Sequence, residues 1–232
     1  MKKSLITLCI ILIGISASAQ ISTLLEKGQS GIGLKGTYES SYGFYSLGGK
    51  IGVSFKGNVD FEFTYQNHIW GMEENDLLAN GATSDYYEGK VTWWLIRKEI
   101  IPDINVNFGP SLGFCYGPFS NYLYMMNDGV IADYGYYMDG QLGIASSVDF
   151  HVGNNWHLQP TFALIYEIGR QQTKLNSGEI YESDNGVNGK VGLTVLKRFS
   201  KGDALYVDFE QWTETYGPYP FYQLSFGYVL PL

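Results

Sequence analysis

The chain has 232 residues, 29 glycines, 19 tyrosines and 16% charged residues, against about 25% charged in average soluble chains, so it carries too little charge for an ordinary solvated surface. Its net charge of −8 excludes nucleic acid, which selects basic patches, and simple adhesion to anionic lipid.

From the N-terminus, Lys2 and Lys3 precede an uncharged apolar run from Leu5 to Ile15 and the small residues Ser16-Ala17-Ser18-Ala19. This order predicts a secretory signal peptide over 1–19, cleaved after an Ala-x-Ala site. The apolar run falls short of the roughly 20 residues a spanning helix needs. Residues 20–30 are expected to form a short periplasmic lead-in. Cleavage would leave Cys115 as the one remaining cysteine, so no intramolecular disulfide is expected.

Past Gln29 the apolar period is two. Val59-Asp60-Phe61-Glu62-Phe63-Thr64-Tyr65-Gln66 alternates strictly, as do Ile104/Val106/Phe108, Leu158/Phe162/Leu164/Tyr166, Leu205/Val207/Phe209 and Tyr222/Leu224/Phe226/Tyr228/Leu230. About ten strands follow, near 31–39, 43–56, 59–70, 86–98, 103–116, 135–150, 155–169, 187–199, 204–214 and 220–230. Each reaches the roughly 9 to 11 residues with which a tilted strand crosses a bilayer. Short turns at 56–58, 98–102, 151–155 and 200–203 alternate with longer segments at 71–85, 117–134 and 170–186. Short periplasmic turns opposite longer external loops mark a bacterial barrel. The fold class is therefore all-β, an antiparallel up-and-down transmembrane β-barrel of about ten strands over 31–232.

In such a barrel the apolar parity meets lipid and the polar parity lines the lumen. Aromatics at the strand ends, among them Tyr45, Phe55, Tyr65, Tyr116, Phe150, Trp156, Tyr166, Tyr222 and Tyr228, suit interfacial girdles. The other parity carries both signs: Lys35, Lys50, Lys90, Lys190 and Arg198 against Asp60, Glu62, Glu88, Asp139, Glu167, Asp208 and Glu210. Small barrels fill their interiors with side chains, so these twelve groups are expected to form a lumenal charge network resembling a plug.

On these features the chain resembles the small bacterial outer-membrane β-barrel proteins from Gly31 to Leu232. The last strand, Phe221-Tyr222-Gln223-Leu224-Ser225-Phe226-Gly227-Tyr228-Val229-Leu230, is similar to the signal read by the barrel-assembly machinery, although Leu230-Pro231-Leu232 ends the chain where the family has an aromatic residue. The resemblance implies residence in the outer membrane, with lipid and that machinery as partners. Some barrels of this kind are proteases that use aspartates and a histidine near the external rim, and here His68 with Asp85 is the comparable pair. No second acidic pair accompanies it, and no catalytic residue is assigned. His151, His157 and Asp149 are too scattered to assign a metal site, and no cofactor is expected. The reading is a non-enzymatic barrel with a largely plugged lumen, in a structural, narrow-pore or ligand-contacting role. The alternatives are a hydrolase at the external rim and a soluble secreted barrel that binds an apolar ligand.

Overall fold

The computed structural model describes residues 21–41, 44–70, 83–123, 131–175, 178–213 and 220–232, so the expected signal peptide lies outside the described residues. One helical turn, α1 (Ile21–Leu24), precedes eleven strands: β1 (Gly31–Ser41), β2 (Phe44–Phe55), β3 (Val59–Trp70), β4 (Thr83–Trp93), β5 (Ile96–Ile101), β6 (Ile104–Leu123), β7 (Ile131–Gly153), β8 (Trp156–Leu175), β9 (Gly178–Arg198), β10 (Ala204–Thr213) and β11 (Phe221–Pro231). All pairings are antiparallel between sequence neighbours, apart from β1 with β11 and β4 with β6, which close the sheet on itself.

β4 and β5 occupy one position in the barrel. Thr92 pairs with Ser111 and Ile96 with Phe108, so Trp93, Trp94 and Leu95 face only Gly109 and Pro110. This is a bulge, placed where Pro110 has no N–H to offer the ladder. A Cβ on Gly109 would lie 2.0 Å from the Trp93 carbonyl oxygen, so the close backbone approach requires glycine there. The bulge turns Trp94 inward, where its Nε1–H donates to Asp60 Oδ2 at 3.0 Å. Counting β4 and β5 together gives ten strand positions.

Alternation sets the two faces. Along β1 the odd-numbered residues Lys35, Thr37 and Glu39 are buried in the lumen, whereas Leu34, Gly36 and Tyr38 are exposed on the outer wall. The same rule makes Leu112 64% and Phe226 61% exposed, an outward apolar band that is stable against hydrocarbon and costly against water. Tyr65, Tyr87, Tyr116 and Tyr136 form a continuous outward ladder with centroids 5.3 to 6.5 Å apart, an interfacial belt at one rim.

The turns at one end are tight: Lys56 and Gly57, and likewise Asn154 and Asn155, have positive φ, as a type I′ hairpin demands. We call this the turn end and the opposite rim the loop end. At the loop end β6 to β9 run to 20, 23, 20 and 21 residues. Strand structure therefore occupies much of the segments 117–134 and 170–186 that the sequence reading left as loops. Beyond the bilayer both faces of a strand meet water, so pairing continues while the alternation that betrays it disappears.

Candidate functional site

The lumen is built in three layers. At its middle, Lys35 Nζ lies 2.8 Å from Asp208 Oδ2 and 2.9 Å from Glu210 Oε1, all three side chains being at most 2% exposed. Lys35 reaches these carboxylates by crossing over β11, whose inward residues there are the small Gly227 and Ser225. Thr194 Oγ1 donates to the second Asp208 oxygen at 2.9 Å, and Gln223 Nε2 donates to Glu210 at 3.3 Å. On the facing wall Glu62 sits between Lys90 at 3.4 Å and Lys50 at 3.8 Å, which come from the strands on either side of β3.

The turn-end layer is closed by the chain's own N-terminal segment. Leu24 and Leu25 are 0% and 1% exposed and pack with Leu196, Ala204, Tyr206 and Val229. Burial of two leucines stabilises the seat by roughly 1.5 to 3 kcal/mol each. A Cβ on Gly227 would come within 2.2 Å of the Tyr206 ring, so that glycine is what lets the ring lie across the lumen. The backbone of the segment is answered as well: Arg97 donates to the Leu25 carbonyl at 3.0 Å and to the Gly57 carbonyl at 2.6 Å, and Gln159 donates to the Thr23 carbonyl at 3.3 Å. Asp149 accepts from this end too, 2.9 Å from His157 Nδ1 and 3.9 Å from Arg198.

The loop-end layer holds a cavity of about 430 Å³. Two aromatic walls flank it. His68 stacks on Tyr86 at 5.4 Å, and Tyr86 lies 6.2 Å from Tyr137, which leans over Gly117 of the intervening strand. Trp212 stacks on Phe221 at 5.6 Å, with Lys190 Nζ 4.8 Å from the indole centroid. The first wall stands on β3, β4 and β7 and the second on β10 and β11, which are on opposite sides of the closed sheet. Between them Gln141 donates to Glu167 at 2.8 Å, Asn188 donates to the other Glu167 oxygen, and Gln66 donates to Glu39 at 2.9 Å.

Of the twelve charged residues expected in the lumen, the structure brings Lys35, Asp208 and Glu210 into one cluster and Lys50, Glu62 and Lys90 into another. Asp60 and Arg198 belong to the turn end. Glu88, Asp139, Glu167 and Lys190 line the loop-end cavity. The cavity's aromatic residues were not anticipated, although Tyr86, Tyr137, Trp212 and Phe221 stand on the same parity as the charges and were legible by that count. His68 and Asp85 stand on opposite parities of the wall. His68 lines the lumenal cavity, while Asp85 pairs with Asn67 on the opposite parity and accepts from Tyr65 and Asn67 outside. His151 and His157 stack at 4.9 Å with their Nδ1 atoms on Asp103 and Asp149. Among the described residues no group of three or more His, Cys, Asp or Glu is arranged to hold a metal ion.

No protein-family model matches the sequence, and no curated protein is similar to it. Solved structures do match. The chain is similar to the translocator domain of the autotransporter NalP from Neisseria meningitidis, at 13% identity over 90% of this chain and 91% of that one, with a TM-score of 0.52. It has the fold of a bacterial outer-membrane β-barrel. The β domain of the Bordetella autotransporter BrkA matches at 13% identity over 86% and 98%, TM-score 0.48. The outer membrane protease OmpT of Escherichia coli matches at 10% identity over 88% and 94%, TM-score 0.41. Its apolar outer wall and lumenal charges are the arrangement that such a fold needs in a membrane.

Proposed function

We propose that this barrel is a closed, non-enzymatic receptor of the outer membrane, which holds a polar ligand in its loop-end cavity and does not conduct. The turn end would face the periplasm and the loop end the exterior, following the usual disposition of short turns and longer loops. Lipid would surround the wall, and the barrel-assembly machinery would insert it. The observation that carries the reading is the N-terminal segment seated in the turn-end mouth, with Leu24 and Leu25 fully buried beneath the Lys35 carboxylate pair. Solute entering from the loop end meets the mixed-sign layer and then this seat. Two buried ion clusters are costly to separate, which supports a closed resting state.

Single-channel recording in planar bilayers tests the reading. The unmodified protein should show no steady current, and Leu24→Asp with Leu25→Asp should introduce openings by unseating the segment. A large steady current from the unmodified protein would overturn it.

A further inference from the structure

The loop-end cavity has a composition that narrows its ligand. Its volume of about 430 Å³ lies within the roughly 300 to 1,000 Å³ of small-molecule sites. Aromatic rings stand on two opposite sides, a setting for the apolar faces of a flat ring. The remaining wall is rich in side-chain amides, with Gln66, Gln141, Gln171, Asn188 and Gln223 all contributing. An amide presents both donors and an acceptor, which suits hydroxyl groups, themselves donors and acceptors; a bare organic cation would need rings and carboxylates alone.

Two further observations point inward. Glu88 Oε1 and Gln141 Oε1, on side chains of residues 6% exposed, have no hydrogen-bond partner among the described residues, and both residues line the cavity. Buried acceptors of this kind are normally satisfied, so the wall at Glu88 and Gln141 has unused acceptor capacity. The lining also carries an acidic excess: Glu39, Glu88, Asp139, Glu167 and Glu210 against Lys50, Arg170 and Lys190. Lys190 is engaged with Trp212, and Lys50 leans toward Glu62. The acidic excess favours a cationic ligand over an anionic one.

We infer that the cavity binds a short saccharide carrying a protonated amine, its ring between the aromatic walls, its hydroxyls on the amides and its ammonium on the Glu88 and Glu167 side. The inference rests on the closed-receptor reading for access from the loop end, but binding is measured independently of conductance, so either can fail alone.

The experiment is calorimetric titration of the folded barrel in detergent micelles with the β-linked glucosamine disaccharide, its N-acetylated counterpart, a galacturonic acid disaccharide and 1,4-diaminobutane. The glucosamine disaccharide should bind at least about tenfold more tightly than the N-acetylated form, the difference expected for a charge-assisted hydrogen bond, and the other two should not bind measurably. Glu167→Gln should weaken the glucosamine disaccharide about tenfold and narrow its advantage over the N-acetylated form. Binding should also perturb the fluorescence of Trp212, a change that Trp212→Phe removes. Variants are compared once their heat-dependent gel mobility shows a closed barrel. Absence of binding by the glucosamine disaccharide, equal binding of the N-acetylated form, or preference for the uronic acid would overturn the inference. Equally tight binding of the diamine would overturn its saccharide part.

Discussion

Below the Lys35 cluster the lumen is filled by leucines, a tyrosine ring and an arginine that donates to two backbone carbonyls and to Asn107; above it the same strands leave space between aromatic walls. The difference arises from side-chain size at matching registers. At the turn end, Gly227 lets the Tyr206 ring cross the lumen, and α1 then covers what remains. At the loop end, Gly117 admits Tyr137 toward Tyr86, but the ring stays against its own wall, and no segment among the described residues fills the centre. One half is therefore filled, and the other is left unfilled by the described residues.

The largest expected effect tests the boundary between the halves. Lys35→Met strands Asp208 and Glu210 as buried carboxylates without their cation, and should cost about 3 to 5 kcal/mol. Urea unfolding in lipid vesicles would measure it. Adding Asp208→Asn and Glu210→Gln should recover most of the loss, and failure of that rescue would mean the cluster matters for packing alone. Leu193→Arg probes the outer wall common to both halves and should cost about 2 to 4 kcal/mol, rising as thicker bilayers are used. A loss independent of thickness would count against the lipid-facing parity.

The two smallest effects are confined to the loop end. Tyr137→Ala removes a ring pair from one wall and should lower stability by about 0.5 to 1.5 kcal/mol beyond the loss of buried area. Lys190→Met removes the cation over Trp212 and should change stability by about 0.5 to 1 kcal/mol, far less than the Lys35 substitution. Comparable losses at Lys190 and Lys35 would erase the distinction between a structural layer and a receiving one.

Much of this architecture was legible in the sequence because lipid and lumen impose opposite demands on successive residues. Val59 to Gln66 shows both faces in eight residues, which puts Glu62 in the lumen, while its register with Lys90 is seen only in the folded sheet. The upper parts of β6 to β9 were not legible, since a stretch such as Arg170 to Lys174 is polar on both faces and carries no period. The role of Leu24-Leu25 was hidden for another reason: two adjacent leucines have no periodicity, and their meaning depends on a mouth formed by Leu196, Ala204, Tyr206 and Val229 far along the chain. The bulge at Trp94 was hidden as well, because an inward tryptophan reads as a break in alternation until Asp60 is seen to accept from it.

The central claim is that, among the described residues, the lumen is shut at the turn end and left unfilled toward the loop end. It is tested most directly by reacting single lumenal cysteines with an impermeant maleimide in oriented vesicles, in a Cys115→Ser background. Gln171→Cys, on the cavity wall, should label rapidly from the loop side, while Ser54→Cys, fully buried at the turn end, should resist the reagent from both sides. Labelling of Ser54→Cys at a rate like that of Gln171→Cys, from either side, would contradict the account.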